Sequence, residues 1–371
     1  MGAGRMKPPM RLPRVKPEHT PHRFDDGSIH IGGGVYGVAA QIRDPRGWAW
    51  EALTQMNGST PIEAIRDSLS SKYPDLGPTG ADTVISLLCE SGYVEDAAGR
   101  SGDGHAFRRR SPHEMKRYMR NLAYFRHIDL RPGAHEATAQ CALMDSRIAV
   151  LGVGGVGCHA AWALAAAGVG NLHLIDPDTV EESNLTRQVL FDERDLGTPK
   201  AKTAARRLAH VNSAGTFTYS PERVDSPEKI REVVGDCDIL ALCADEPKND
   251  AITRMVNATC AESGTRWVCA GYSGPLSTVG VFGPGGPCYE CLGAGESAKL
   301  KDEWHPPLGN SGVMSPSAAL AGALLANEII GIVTGTTRQA PGFVRGVNLI
   351  APDHLVYVRH PSRPDCTVCG S

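Results

Sequence analysis

A glycine-rich run and the polar residues after it are the part of this sequence best suited to chemistry. The run follows a short apolar stretch, Ile148–Leu151, and its glycines are Gly152, Gly154, Gly155 and Gly157. Glycines between a strand and a helix let backbone amides approach a phosphate, and the helix N-terminus favours its negative charge. Asp176 comes 19 residues after Gly157, where a carboxylate can bind ribose hydroxyls. The spacing therefore predicts a nucleotide site.

Polar side chains beyond this carboxylate distinguish between two kinds of nucleotide. The glycine pattern by itself suggests a dehydrogenase, but a nicotinamide cofactor requires no cations at this point of the sequence. A triphosphate does require them, because Arg and Lys neutralise the β and γ phosphates as pyrophosphate leaves. The residues of this kind are Asn184, Arg187 and Lys200. We therefore predict that the nucleotide is ATP.

A further carboxylate, Asp245, is suited to hold a metal ion beside the triphosphate. It follows the apolar run Ile239–Leu242, which is typical of a buried strand. Ligands bind at the carboxyl ends of parallel strands, so Asp245 should reach the same edge of the sheet as the glycines. A lone carboxylate there suits Mg²⁺ that is held jointly with phosphate oxygens. The sequence thus predicts ATP bound together with Mg²⁺.

Two Cys-x-x-Cys pairs in the second half of the chain predict a zinc site. Four thiolates from two tight turns satisfy tetrahedral Zn²⁺, and the four residues are Cys288, Cys291, Cys366 and Cys369. A site closed by four sulfurs has no open position for a substrate, so we expect a structural role. The zinc should join the C-terminal segment to the core of the domain.

The second part of the chain must position these groups, and its pattern predicts an α/β fold. A length of 371 residues suggests about two domains, at roughly 150 residues each. Apolar runs alternate with helical patterns such as Cys158–Ala167, and the runs are Ile148–Leu151, Leu172–Ile175 and Ile239–Leu242. This alternation is typical of a Rossmann-like, doubly wound parallel sheet with helices on both faces. We assign residues 106–371 to this domain.

The preceding residues 23–105 show a different pattern, which predicts a winged-helix-like domain. Strand patterns come first and helix start signals follow. The predicted elements are strands at Ile29–Ile31 and 35–42 and helices that begin at Trp48, Pro61 and Asp82. A linker rich in Gly, Ala and Arg over residues 97–110 closes the domain. Residues 1–22 are rich in Pro, Lys and Arg, and we predict a flexible tail there.

Charge and composition argue against several classes of function. The formal net charge is −3, and residues 23–105 hold six Lys and Arg against twelve Asp and Glu. An acidic domain of this kind is a poor binder of nucleic acid. No stretch of the sequence approaches the roughly 18–20 uninterrupted apolar residues of a membrane span, and the N-terminus lacks the apolar part of a secretory signal. Seven of the eleven cysteines are scattered, which indicates reduced thiols and a cytoplasmic protein.

The motifs, taken in their order, resemble the ubiquitin-activating-enzyme superfamily in its bacterial ThiF/MoeB/HesA form. The motifs are the glycine run, Asp176-Pro-Asp178, Ser183-Asn184-Leu-Thr-Arg187-Gln188, Pro199-Lys200 and Cys243-Ala-Asp245. Arg117-Tyr-Met-Arg120-Asn121 is similar to the entry motif of that family, with Asn121 in place of Gln. MccB-type enzymes, which adenylate a peptide in microcin C biosynthesis, are similar at Asn184–Phe191, Ala270–Tyr272, Val281–Pro284 and Cys288–Cys291. The resemblance covers about residues 114–371.

The resemblance implies a role for each motif. The glycine loop and the acidic pair Asp176 and Asp178 would hold the nucleoside side of ATP. The triphosphate would be handled by Asn184, Arg187, Gln188 and Lys200, and Asp245 would hold the metal and the α-phosphate. Arg120 would reach the ATP of the partner subunit across a homodimer. Catalysis would then consist of positioning and charge stabilisation, without a covalent nucleophile.

The resemblance also implies a substrate, and one departure from the family narrows it. Many relatives carry a catalytic cysteine after the first Cys-x-x-Cys pair, but residues 292–365 contain no cysteine. We therefore expect no thioester or persulfide step at that place. The resemblance to MccB-type enzymes implies adenylation of the C-terminal carboxylate of a ribosomally made precursor peptide, with residues 23–105 binding its leader. Two alternatives stay open: a noncatalytic leader-binding scaffold, and activation of a ubiquitin-like sulfur-carrier protein. Cys158, at a predicted helix N-terminus, is either a packing residue or a thiol of lowered pKa.

Overall fold

The chain folds into two compact units, Met1–Cys141 and Ala142–Ser371. This division falls later than the predicted boundary between residues 105 and 106, because the helices that follow residue 110 group with the N-terminal part of the chain. The computed structural model describes residues 10–34, 37–98, 111–247, 250–299, 312–337, 339–351 and 353–370. Residues 1–9 and most of the predicted linker lie outside the described residues.

The first unit combines short antiparallel strands with helices. Its elements are β1 (Pro13–Val15), β2 (His22–Arg23), β3 (Ile29–Ile31), β4 (Ala40–Ile42), α1 (Trp48–Gln55), α2 (Ile62–Lys72), α3 (Gly77–Glu90), β5 (Val94–Asp96), α4 (Pro112–Arg117), α5 (Met119–Ile128) and α6 (Glu136–Asp145), in which the division falls. Strands β2, β3 and β4 form one sheet, and β1 pairs with β5. Helices α1 to α3 bury one apolar face each in a common core with β3. The arrangement is winged-helix-like.

The N-terminal segment differs from the predicted flexible tail. Residues Pro13–Val15 pair in antiparallel register with Val94–Asp96. The Lys16 ammonium is buried and donates to the Asp129 carbonyl oxygen at 2.8 Å. The prediction was wrong for the described part of this segment because the bonds that order it come from residues far away in sequence, which local composition does not reveal.

Two other elements of this unit differ from their predicted bounds. Helix α3 begins at Gly77, five residues before the predicted start at Asp82, with Pro78 in its first turn. The earlier start was not predicted because Gly77 and Gly80 have a low helix propensity. The strand predicted over residues 35–42 is confined to Ala40–Ile42, and Val35 and Tyr36 lie outside the described residues.

The second unit is built on one eight-stranded sheet. Its elements are β6 (Arg147–Leu151), α7 (Gly155–Ala167), β7 (Asn171–Ile175), α8 (Lys200–Val211), β8 (Thr216–Ser220), α9 (Pro227–Gly235), β9 (Ile239–Leu242), α10 (Ala251–Ser263), β10 (Arg266–Ser273), β11 (Leu276–Phe282), α11 (Tyr289–Ser297), α12 (Ser315–Thr334), β12 (Phe343–Asn348) and β13 (Leu355–Val358). The strand order is β13-β12-β11-β10-β9-β6-β7-β8. Strands β10, β9, β6, β7 and β8 are parallel, and β11 to β13 are antiparallel. The predicted doubly wound α/β fold is confirmed.

Burial explains why the central strands read as continuous apolar runs. All four residues of β9 are buried, as are Ile148–Leu151 of β6, because helices cover both faces of the parallel part of the sheet. Helices α9 and α10 pack against the face that carries Ala149 and Leu151. The carboxyl ends of β6, β7 and β9 therefore meet at one edge, where the predicted site residues follow.

Helix α12 is long and apolar enough to cross a membrane by length and composition, but half of its most apolar window is buried within the unit. It packs against α7 and against strands β10 and β11. At Gly322 a Cβ would lie 2.7 Å from the Val156 carbonyl oxygen of α7, so the glycine permits close contact of the two helices. The helix is a core element of the second unit.

Candidate nucleotide site and zinc centre

The glycine loop after β6 is shaped by two of its glycines and left open by a third. Gly152 has a φ of 95°, and a Cβ there would lie 2.6 Å from the Ala244 amide nitrogen. A Cβ at Gly157 would overlap the Gly152 carbonyl oxygen. A Cβ at Gly154, in contrast, would meet nothing within 4 Å. Gly152 and Gly157 therefore allow the loop to close on its neighbours, and Gly154 leaves room for a ligand.

Asp176 fastens this loop to the end of β7. Its carboxylate accepts the Val153 N–H at 2.6 Å and the Asp178 N–H at 2.9 Å. The side chain is buried, and desolvation raises its pKa against the opposing effect of the two backbone N–H groups and of Lys200. Each carboxylate oxygen keeps a second lone pair, which a hydroxyl group can use.

Lys200 is the first residue of α8 and faces the loop after β7. Its ammonium lies 3.0 Å from the Asp178 carboxylate, and its amide donates to the Asp178 carbonyl oxygen at 2.9 Å. The lysine side chain is 8% exposed and the aspartate side chain is 56% exposed. The cation is thus held in place by burial, whereas the carboxylate is free to turn toward solvent.

The turn between β7 and α8 presents Arg187 and Gln188. Asn184 is buried and accepts the Glu181 N–H through Oδ1 at 3.0 Å, and its carbonyl oxygen accepts the N–H groups of Arg187 and Gln188. Nε of Arg187 and Oε1 of Gln188 are buried and make no hydrogen bond within the described part of the chain. A Cβ at Gly155 would lie 3.3 Å from Cγ of Arg187, so this arginine lies along the glycine loop.

Asp245 follows β9 and is exposed. Leu242 and Leu151 are partners in the parallel register of β9 and β6, and the Ala244 amide lies against Gly152. Asp245 therefore reaches the edge of the sheet that carries the glycine loop. The structure thus brings the predicted nucleotide-site residues of the second unit to one edge of the sheet.

Arg120 is the exception, because it belongs to the first unit. It is exposed on α5, one residue before Asn121, whose amide donates to Gln140 Oε1 at 3.0 Å. Asn121 occupies the position at which the family motif has Gln, and it makes a bond within its own unit.

Cys158 is a packing residue. Its thiol is fully buried and donates to the Val153 carbonyl oxygen at 3.4 Å. Burial raises the pKa of this thiol to about 12. The alternative of a lowered pKa at the helix N-terminus is therefore wrong, because desolvation outweighs the helix dipole at this position.

The four predicted zinc ligands lie together at the start of α11 and in the turn Cys366–Cys369. Their sulfurs are all within 4.8 Å of one another, with 3.6 Å between Cys288 and Cys366 and 3.5 Å between Cys291 and Cys369. A tetrahedral Zn²⁺ with Zn–S bonds of about 2.3 Å requires sulfur separations of about 3.8 Å. The four residues fit a structural zinc ion.

Backbone N–H groups surround these sulfurs. Arg363 donates its N–H to Cys291 Sγ at 3.3 Å. Burial acts to raise the pKa of the Cys366 thiol, and the N–H groups of Cys369 and Val368 act to lower it. Such donors favour the thiolate, which is the form that binds a metal.

The sequence analysis did not identify two buried side chains that hold neighbouring segments of these sites in place. Asp195 is buried and accepts from Arg206 at 2.8 Å and from Arg207 at 2.6 Å, which fastens α8 to the turn before Lys200. Asn257, on α10, accepts the Tyr289 N–H at 3.0 Å beside the cysteine cluster. The acid-rich stretch before Gly197 is a weak signal for the first support, and the sequence holds none for the second.

The fold and the site together are those of ATP-using adenylyltransferases. The features that indicate this class are the glycine loop, the buried carboxylate after the next strand and the flanking cations, all on a doubly wound sheet. Residues 120–368 match the ThiF family, and the chain belongs to this family. It is similar to the molybdopterin-synthase adenylyltransferase of Escherichia coli K12, with 34% identity over 256 residues that cover 67% of this chain and 96% of that protein.

Solved structures of MccB from E. coli share the fold over nearly the whole chain. One has a TM-score of 0.75 and 23% identity and covers 97% of each chain. Another, of MccB with AMPCPP and MccA, has a TM-score of 0.71 and 23% identity and covers 96% of this chain and 99% of that one. The expected family and fold are confirmed.

Proposed function

We propose that this protein uses ATP to adenylate the C-terminal carboxylate of a ribosomally made precursor peptide. A carboxylate oxygen attacks the α-phosphorus, the bond to the bridging oxygen of the β-phosphate breaks, and pyrophosphate leaves with that electron pair. The share of this chain that is matched by each of two relatives supports a peptide as the substrate. The molybdopterin-synthase relative matches 67% of this chain, whereas the fold of MccB, which is bound with MccA in one structure, matches 96% and includes the first unit.

The geometry supports the following division of labour at the ATP site. The open position at Gly154 admits the phosphates, and Asp176, with Asp178 beside it, takes the ribose side through its remaining lone pairs. Arg187 and Gln188 offer a buried donor and a buried acceptor that have no partner within the described residues. Asn184 holds the turn that presents them, and Lys200 neutralises charge on the leaving pyrophosphate.

Asp245 is the proposed ligand of Mg²⁺. It is exposed at the edge of the sheet, beside the glycine loop, where phosphate oxygens would complete the coordination of the metal. The family resemblance implies that this metal would lie at the α-phosphate.

The experiment that tests this function is exchange of labelled pyrophosphate into ATP. The wild-type protein, with Mg²⁺ and a precursor peptide encoded beside it, should catalyse exchange, and Asp245→Ala should lose it by about 100-fold or more while remaining folded. Asp236→Ala is the matched control, because Asp236 is exposed at the end of α9 and is no part of the site. Bound peptide without exchange in the wild type would support the scaffold alternative instead.

The first unit is the proposed binding site for the leader of this peptide. Strands β2 and β4 are the two edges of its small sheet, and an extended peptide can add to such an edge through backbone hydrogen bonds. Because these bonds are uncharged, affinity for a labelled leader peptide should change little between low and high salt. Steep weakening with salt, or tight binding of a DNA duplex, would contradict a peptide site.

Activation of a sulfur-carrier protein is the second candidate, and the 34% identity to a molybdopterin-synthase adenylyltransferase favours it. The missing cysteine over residues 292–365 and the additional first unit count against it. The same exchange assay separates the two, with a ThiS-type sulfur carrier in place of the peptide. Exchange with the carrier alone would overturn the peptide proposal and leave the adenylyltransferase reaction intact.

Two further parts of the proposal concern assembly and metal. We propose a cytoplasmic homodimer in which Arg120 of one subunit completes the ATP site of the other. We also propose one structural zinc per chain at the four cysteines, which fit its geometry. Metal analysis of protein purified without chelators should find about one zinc per chain, because four sulfurs complete a tetrahedral site. A preparation without zinc would contradict this.

A further inference from the structure

Asn257 is a fully buried amide whose orientation is fixed by a neighbour of the cysteine cluster. The residue is 1% exposed on α10, and its Oδ1 accepts the backbone N–H of Tyr289 at 3.0 Å. Only the oxygen end of a carboxamide can accept an N–H, so the NH₂ group must point the other way. Nδ2 is buried and makes no hydrogen bond of ordinary geometry within the described residues.

The unpaired donor lies beside a zinc ligand. Tyr289 directly follows Cys288 at the start of α11, and the Asn257 side chain adjoins the Cys288 thiol. A buried donor without an acceptor destabilises the folded state, because it has lost its hydrogen bonds to water. A neutral thiol is a weak acceptor, whereas a thiolate bound to a metal is an anion and a good one.

We propose that Asn257 donates an N–H···S hydrogen bond to the zinc-bound thiolate of Cys288 and thereby positions this ligand. Four thiolates around Zn²⁺ leave a buried charge of about −2, which N–H donors stabilise. Arg363 supplies one such donor to Cys291. Asn257 supplies another from α10, and so joins the metal to the helix that follows the Asp245 loop. The inference rests on the proposed zinc and is independent of the peptide substrate.

The test compares two variants that make the same chemical change at equally buried sites. Asn257→Asp keeps the acceptor for Tyr289 and replaces the donor with an anion. Asn212→Asp is the control, because Asn212 is 2% exposed and donates to the Ala165 carbonyl oxygen, away from the cysteines. Zinc affinity, measured by competition with a chromophoric chelator, should fall about 10- to 100-fold in Asn257→Asp only.

A spectroscopic measurement separates positioning from general loss of stability. In protein loaded with Co²⁺, the sulfur-to-metal charge-transfer band should shift in Asn257→Asp and stay unchanged in Asn212→Asp. Asn257→Leu, which removes both amide ends, provides the same comparison if the aspartate variant fails to fold. Wild-type zinc affinity and an unshifted band in the Asn257 variants would overturn this inference. A wild type without zinc would overturn the zinc proposal itself.

Discussion

The pair formed by Lys200 and Asp178 is unequal, because the lysine is buried and the aspartate is exposed. In the proposed site, a phosphate can compete with the Asp178 carboxylate for this ammonium, because the carboxylate is exposed and the ammonium is buried. The burial of the lysine therefore provides a fixed positive charge at the site, at the cost of an aspartate that neutralises it when ATP is absent.

This arrangement predicts that Lys200 acts on the leaving group. Replacing it in Lys200→Met should lower pyrophosphate exchange by about 100- to 1,000-fold, because removal of one positioned donor for developing charge has an effect of this size. Lys202→Met is the matched control on the same helix, since Lys202 is exposed. Similar losses in both variants would show that the site does not depend on the buried cation.

For single residues, the sequence predicts where a side chain lies in the fold better than it predicts which groups that side chain contacts. Asp176 and Asp245 can be placed from the sequence because each follows an apolar strand, and parallel strands end at a common edge. Three features of the site depend instead on how deeply each side chain is buried. They are the pairing of Lys200 with Asp178, the unreactive thiol of Cys158 and the unpaired amide donor of Asn257. Burial of single side chains arises from the whole fold, so no local pattern contains it.

The glycines of the loop after β6 have two different roles. Some are required for the shape of the loop, and others leave space for the ligand. Gly152→Ala should destabilise the protein by about 1–3 kcal/mol, because the residue has a positive φ and its Cβ would press on Ala244. Gly154→Ala should leave stability near wild type and weaken ATP binding, since its Cβ enters open space. Thermal unfolding and nucleotide titration of both variants check this, and equal destabilisation would contradict it.

The N-terminal segment contains a buried histidine that should respond to acid. His19 is fully buried, and its ring packs edge-on against His127 and Tyr93. Its two ring nitrogens make no hydrogen bond of ordinary geometry to any residue that the structure describes. Desolvation lowers its pKa, and the neighbouring His127 and Lys16 act in the same direction, while the His127 backbone and Glu18 oppose them. The folded state therefore favours the neutral imidazole.

The sign of the resulting pH dependence follows from linkage. The stabilisation is fully present above the unfolded pKa of about 6.5 and is lost as the pH falls from there toward the lower folded pKa, because the unfolded state then binds a proton that the folded state does not. His19→Phe should lose less thermal stability than the wild type between about pH 7.5 and about pH 5.5. An equal loss in both proteins would show that His19 does not carry the effect.

Elements as a whole were the most predictable feature of the chain. The parallel strands β6, β7 and β9 and helices α1 and α2 follow from apolar spacing and start signals, which act over a few residues. The order of residues 10–22 could not be predicted in this way. Arg14 pairs with Glu95 and Glu18 pairs with Arg126, and such long-range bonds have no counterpart in local composition.

At the scale of the whole molecule, the proposed dimer predicts that two defective chains can repair each other. If Arg120 acts in trans, a mixed dimer of Arg120→Ala and Lys200→Ala chains contains one intact ATP site. An equal mixture that exchanges subunits should then recover about a quarter of wild-type exchange activity, because half of the dimers are mixed. Each variant assayed alone is the control, and inactive mixed dimers would contradict supply of Arg120 in trans.

With the proposed zinc bound, the four-sulfur centre would make the stability of the second unit depend on the free zinc concentration. A group that binds only the folded chain adds free energy in proportion to the logarithm of its free concentration. Above the dissociation constant of the site, each tenfold rise in free zinc should add about 1.4 kcal/mol to the free energy of unfolding. The free energy of unfolding, measured in buffers of different free zinc concentration, should follow this logarithmic dependence. The stability of the enzyme would then vary with the free zinc concentration in the cell.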